Sequence, residues 1–183
     1  RDKLASDLGI SPFVCLLLVQ RGLSTVEEVK KFFKPSLNDL HDPFLMPDME
    51  KAVKRLNKAL GNKEKILIYG DYDVDGTTAV SLVYKYLRPY SSSLDYYIPD
   101  RYDEGYGISY KGIDYARENG ITLVISLDCG IKAIEKIEYA KQFGIDFIIC
   151  DHHMPDDILP NAVAVLDAKR VDSVYPYEHL SGC

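Results

Sequence analysis

The sequence predicts an α/β fold: a parallel sheet of about five strands with helices on both faces, preceded by a small helical N-terminal segment. Three observations predict it. Short apolar, β-prone runs recur at 66–69, 94–98, 122–127, 146–150 and 162–166. Helix-patterned stretches at 78–87, 109–119 and 131–143 separate the first four, which calls for right-handed crossovers and parallel pairing. Ahead of residue 62 the pattern is helical, most plainly in Met49, Ala52, Val53, Leu56 and Leu60 at three- and four-residue spacing.

The elements follow in order. Residues 10–33 read as helical, with Phe13, Leu16 and Leu17 on one face and Gly22 placed to end the first helix. Ser24-Thr25-Val26-Glu27 reads as a capping box opening a second helix through Val26, Val29 and Phe33, ended by Pro35. Residues 38–47 are turn-rich. A third helix carries Met49, Ala52, Val53, Leu56 and Leu60, and Gly61-Asn62 stops it. The expected division is therefore 1–62, a helical segment packed on the core, and 63–183, the α/β domain. The ending Leu180-Ser181-Gly182-Cys183 has no stop character, so that domain is expected to be truncated at its C-terminus.

Composition limits the function. The chain has 183 residues, ordinary charged and apolar fractions, and a formal net charge of -6. Such a balance argues against a polybasic nucleic-acid surface on this piece, though not against a phosphate site built around metal. The longest apolar run, 13–19, is far too short to span a bilayer, and no signal-peptide pattern opens the chain. Cys15, Cys129, Cys150 and Cys183 have neither disulfide-framework nor zinc-ribbon spacing. Reduced thiols in a cytoplasmic protein are expected.

The chemistry stands at the strand ends, where ligands bind in parallel α/β sheets. The first strand gives way to Gly70-Asp71-Tyr72-Asp73-Val74-Asp75-Gly76, the third runs into Asp128, and the fourth into Asp151-His152-His153. Three crowded carboxylates repel one another unless a cation offsets them. Neighbouring strands lie about 4.8 Å apart, so side chains at these ends can converge. Mixed carboxylate and imidazole donors suit Mn²⁺ or Mg²⁺ better than thiolate-loving metals. Taken singly, an Asp before a helix is ordinarily an N-cap, and Asp128 is a turn former before Gly130. Taken jointly, the three segments point to a metal site.

Other signatures overlap the first motif. An EF-hand loop would need a bidentate Glu where Leu82 stands. A P-loop would need Gly-Lys-Ser/Thr, and Gly76 is followed by Thr77-Thr78. Asp73-Val74-Asp75-Gly76-Thr77 resembles the nucleophile motif of haloacid-dehalogenase-type phosphatases, an alternative that gives Asp151-His152-His153 no role.

All three segments together resemble the DHH phosphoesterase superfamily, and within it the branch of RecJ-type single-stranded-DNA exonucleases. Residues 98–107 (Ile-Pro-Asp-Arg-Tyr-Asp-Glu-Gly-Tyr-Gly), the lead-in with Arg21-Gly22, the stretch from Asp42-Pro43-Phe44 to Ala52, and Leu180-Ser181-Gly182 resemble that branch. The resemblance implies a two-metal phosphodiesterase acting 5′→3′ on single-stranded DNA in repair and recombination. It implies Asp73, Asp75, Asp128 and His152 as ligands of two Mn²⁺ or Mg²⁺ ions, with Asp128 bridging and Asp71 an extra ligand. It gives His153, with Asp128, a catalytic place, His153 orienting a phosphate oxygen or the leaving group. Arg101 is expected on a phosphate and Tyr106 or Tyr102 against a base. Single-stranded DNA is the implied partner, held mainly by parts outside this chain, with a single-strand-binding protein or a helicase beside it.

Two departures stand out. Many superfamily members have a histidine four residues before the key Asp, where this chain has Tyr69. The family's fourth metal-binding motif is expected beyond Cys183, so the chain alone is expected to bind Mn²⁺ weakly and to show little or no nuclease activity. Small-substrate phosphatases or pyrophosphatases of the same superfamily, and non-catalytic replication scaffolds of the same fold, are the alternatives.

Overall fold

The apolar runs become five strands in the computed structural model, which describes residues 2–183. The chain divides into two compact units between Asp42 and Pro43. The first unit holds α1 (Asp2–Leu8), α2 (Pro12–Gln20) and α3 (Val26–Phe33) around Leu4, Ala5 and Cys15. Helix α1 was not expected. The stripe α2 buries is Cys15 and Leu18, whereas Phe13 is 70% exposed. The helix is apolar nearly all the way round, so its own periodicity selects no face. The capping box of α3 also falls one residue later than expected. Thr25 is the N-cap, and Glu28 reaches back to the Thr25 amide at 2.9 Å. Adjacent Ser-Thr and Glu-Glu pairs offer two overlapping boxes, and the later one is used.

The second unit runs α4 (Met49–Gly61), β1 (Ile66–Gly70), α5 (Val74–Leu87), β2 (Leu94–Tyr97), α6 (Tyr110–Glu118), β3 (Leu123–Leu127), α7 (Ile134–Lys141), β4 (Asp146–Cys150) and β5 (Ala164–Leu166). All pairings are parallel, in the order β2-β1-β3-β4-β5. Side chains alternate between the faces. Leu67, Tyr69, Val124, Phe147 and Ile149 meet Ile113 and Ala116 of α6 and Ile137 and Ala140 of α7. Ile66, Ile68, Leu123, Ile125 and Ile148 meet Ala52 and Ala59 of α4 and Ala79, Val80 and Leu87 of α5. Both faces are thus covered, which is why these strands read as continuous apolar runs. Each fully buried aliphatic side chain contributes about 1.5–3 kcal/mol. Helix α4 packs on the sheet within the compact unit that begins at Pro43.

At the N-terminal edge of the sheet, Arg55 of α4 ties the unit together. Its Nε donates to Asp146 at 2.6 Å and its Nη2 to Glu64 at 2.8 Å. Among the described residues no helix is long and apolar enough to cross a membrane.

Candidate metal centre

The chain leaves β1 to one side to make β2 and returns on the other side to make β3. The crevice between β1 and β3 at the C-terminal edge is therefore a topological switch point, where open α/β sheets bind ligands. The register makes four strands end level, with Gly70 opposite Leu127, Leu127 opposite Cys150, and Cys150 opposite Leu166. The next residue on each is an aspartate: Asp71, Asp128, Asp151 and Asp167. All four are buried.

Asp128 lies at the centre of this row. It takes a left-handed backbone conformation, φ 61°, which an Asp tolerates better than most residues. Its Oδ1 stands 3.1 Å from His152 Nε2, yet is buried and makes no hydrogen bond. Burial, then the charges of Asp75 and Asp73, push its carboxyl up to about 6, against the pull of His152 and His153. Asp128, His152 and His153 offer ligand atoms that all lie within 4.8 Å of one another.

Asp151 holds the two histidines. Its Oδ1 accepts from the backbone amides of His152 and His153 at 2.7 and 3.1 Å and pairs with His153 Nδ1 at 2.7 Å. Its Oδ2 accepts from the Ile131 amide at 2.9 Å. Burial pushes this carboxyl up, but those bonds outweigh it and hold it below the usual carboxylate range. The carboxylate at Nδ1 calls for a proton on that nitrogen and so fixes the orientation of the ring. His153 Nε2 faces the Tyr106 hydroxyl at 3.1 Å, and the same hydroxyl donates to the Asp128 carbonyl at 3.2 Å.

The first motif is drawn in by close packing. A Cβ on Gly76 would lie 2.6 Å from the Asp71 carbonyl oxygen, so only glycine lets the start of α5 press on the end of β1. Helix α5 begins at Val74, ahead of the expected 78, because Asp73 caps it: Asp73 Oδ1 accepts from the Gly76 amide at 2.9 Å. Asp75 thereby enters the first turn, and its Oδ2 accepts from the Gly182 amide at 2.8 Å.

Tyr69 and Asp71, two residues apart on β1 and its extension, grip the two peptide groups that flank Gly107 in the facing loop. The Tyr69 hydroxyl donates to the Gly107 carbonyl at 3.0 Å, and Asp71 Oδ1 accepts from the Gly107 amide at 3.2 Å. This grip sets Tyr106 over the site. Tyr69, buried and stacked on Tyr97, therefore has a structural role where many superfamily members have a histidine. Asp71 Oδ2 is buried without a hydrogen-bond partner.

The model of the DHH family, N-terminal domain, matches residues 65–183. The chain belongs to the DHH family. It is 41% identical over 179 residues to the single-stranded-DNA-specific exonuclease RecJ of Bacillus subtilis, covering 98% of this chain and 23% of that protein. The same enzyme of Escherichia coli is 33% identical over 175 residues, covering 94% of this chain and 30% of that protein. The chain thus spans roughly a quarter to a third of the curated relatives it matches. A crystal structure of exonuclease RecJ bound to manganese superposes with a TM-score of 0.69 at 26% identity, over 78% of this chain and 36% of that one. RecJ from Thermus thermophilus, in complex with Mn²⁺, gives 0.71 at 22% identity, over 98% and 24%, and shares the fold.

The DHH centre gathers the expected residues unevenly. Asp128 and His152 lie together, with His153 in the same group of potential ligand atoms. Asp73 is half-committed as a helix cap, Asp75 is bonded to Gly182, and both are close enough to raise the Asp128 carboxyl. Asp151, the first letter of the motif, has both oxygens occupied and acts as the histidines' anchor. Arg101 stands over the Tyr72 ring, 5.4 Å from its centroid. Rings run from Tyr72 through Tyr106 and His153 to His152 along the rim. Tyr102 is 93% exposed and lies outside that run of rings.

The sequence reading missed Asp167. Its Oδ1 accepts from the Lys169 amide at 2.7 Å, and Lys169 Nζ donates to the His152 carbonyl, so it shapes the turn that braces His152. The signal was present: Val165-Leu166-Asp167 repeats the strand-into-aspartate pattern of its neighbours.

The residues fit a divalent cation. Buried oxygens on Asp71 and Asp128 lack partners, and the carboxylate and imidazole donors match a hard to borderline ion.

Proposed function

We propose that this chain forms the catalytic N-terminal part of a metal-dependent phosphodiesterase, a 5′→3′ exonuclease of single-stranded DNA serving repair and recombination. One observation carries the reading: Asp128 Oδ1, buried, without a hydrogen bond, 3.1 Å from His152 Nε2 and pressed by the charges of Asp73 and Asp75. A cluster like this is costly unless a cation completes it. The relatives that carry the exonuclease name, and RecJ structures holding manganese, support the substrate and the ion.

Asp73, Asp75, Asp128 and His152 would hold paired Mn²⁺ or Mg²⁺ ions, with Asp71 in support. Bound there, the ions would acidify water and offset charge on the phosphoryl oxygens. The chain's own groups do the rest. Asp151 and Tyr106 fix the His153 ring, which would orient a phosphate oxygen or the leaving group. Arg101 and the rings of Tyr72 and Tyr106 offer a rim for a phosphate and an unstacked base. With a net charge of -6, this chain leaves most of the DNA contact to parts outside it. A single-strand-binding protein or a helicase would deliver the strand, in the cytoplasm.

The test is Mn²⁺-dependent hydrolysis of 5′-labelled single-stranded DNA by the intact protein and by its Asp128→Ala variant. Cleavage is expected to start at the 5′ end and to fall by about a hundredfold or more in the variant, the scale of losing a group that stabilises developing charge. Turnover confined to dinucleotides or pyrophosphate would assign a small-substrate phosphatase. No metal-dependent cleavage of anything would leave a scaffold.

A further inference from the structure

Gly182 belongs to none of the family's acidic or imidazole motifs, yet its peptide touches two of the carboxylates. Its amide donates to Asp75 Oδ2 at 2.8 Å. A Cβ built on it would overlap Oδ1 and Cγ of Asp128 and fall 2.6 Å from the Asp128 Cβ. Its φ is not among the positive values of the chain, so the backbone there is open to any residue. The requirement for glycine is therefore one of space. Nothing larger than hydrogen lets the main chain lie against the Asp128 carboxylate.

We infer that Gly182 is a positioning residue of the metal centre. Its N–H fixes one oxygen of Asp75 and leaves the other to face a cation, and its lack of a side chain sets how Asp128 stands beside it. Hydrogen bonds from outside a ligand set orient carboxylates in this way, and removing them typically costs about 10–100-fold in metal affinity. The inference rests on the proposed function through the metal alone, and not through DNA cleavage.

Mn²⁺ binding to the intact protein, read from the electron paramagnetic resonance of unbound Mn²⁺, tests it. Gly182→Ala is expected to weaken binding by about 10–100-fold with an unchanged far-ultraviolet circular dichroism spectrum. The control Gly61→Ala, where a Cβ meets nothing within 4 Å, is expected to leave binding unchanged. Equal affinity of wild type and Gly182→Ala would overturn the inference and leave the metal reading standing. No Mn²⁺ uptake by the wild type would overturn both. Should Gly182→Ala fail to fold, hydrogen exchange at the Gly182 amide answers the same question in the native glycine. Its protection is expected to drop in Asp75→Ala, and unchanged protection would overturn the inference.

Discussion

Asp128 is under opposed pressures. Burial and the neighbouring charges of Asp75 and Asp73 favour its protonated form, with a carboxyl raised to about 6, while His152 and His153 favour the ionised form. An acid whose folded-state pKa exceeds its unfolded value of about 3.9 stabilises the fold at low pH. That contribution is lost as pH rises through about 6, since the folded state must then keep a buried negative charge. A divalent cation competes with the proton for the same oxygens, so its binding should weaken about tenfold per pH unit below that midpoint for each proton displaced. The increment in Tm on adding Mn²⁺ is accordingly expected to be large at about pH 7.5 and small at about pH 5. Thermal melts across that range check it, with Asp128→Asn expected to flatten the dependence. An increment indifferent to pH would remove Asp128 from the ion's ligands.

Among the elements, α4 shows how a helix far from the chemistry supports it. Arg55 is one-tenth exposed and joins α4 to Asp146 at the start of β4 and to Glu64 ahead of β1. Arg55→Ala would leave two carboxylates without their cation at the N-terminal edge of the sheet. The expected cost is about 2 kcal/mol, reduced from the buried-pair figure because Asp146 is partly solvated. Urea denaturation should show that loss with Mn²⁺ affinity unchanged, because the metal centre lies at the opposite edge. A change in affinity as large as the change in stability would contradict that separation. The strands were legible in the sequence because burial on both faces leaves unbroken apolar runs, and because Gly70, Asp128 and Asp151 punctuate their ends. The face of α2 was not, since a helix apolar on all sides owes its orientation to its neighbours. The start of α5 was misplaced because Asp73, read as a ligand, also serves as a cap. The metal motifs were legible as strand-end acids. The grip of Tyr69 and Asp71 on Gly107, and the contact of Gly182 with Asp75, join residues far apart in sequence, and no spacing rule reports them.

At the scale of the molecule, everything the metal centre uses lies after Pro43. The first unit has its own small core of Leu4, Ala5 and Cys15, and the sheet has two larger ones. The fold therefore sets different consequences for two truncations that differ only by α4. Among the described residues, 2–42 supply none of the groups named at the centre and no side chain of the two sheet cores. On removing residues 1–42, Mn²⁺ affinity should stay within about twofold, a difference of under 1 kcal/mol. Removing residues 1–62 strips Ala52, Leu56, Ala59 and Leu60 from the face formed by Ile66, Ile68, Leu123 and Ile125, and deletes Arg55. Losing Leu56 and Leu60 alone costs about 2–5 kcal/mol each, and baring the strand residues beneath them adds to it, a loss comparable with the stability of most domains. That fragment should aggregate through its uncovered sheet, as bare apolar faces do. Size-exclusion chromatography, circular dichroism melts and Mn²⁺ titration on the two fragments decide the matter. A folded, metal-binding fragment beginning at 63 would show that α4 is dispensable to the sheet and bear out the boundary expected from the sequence.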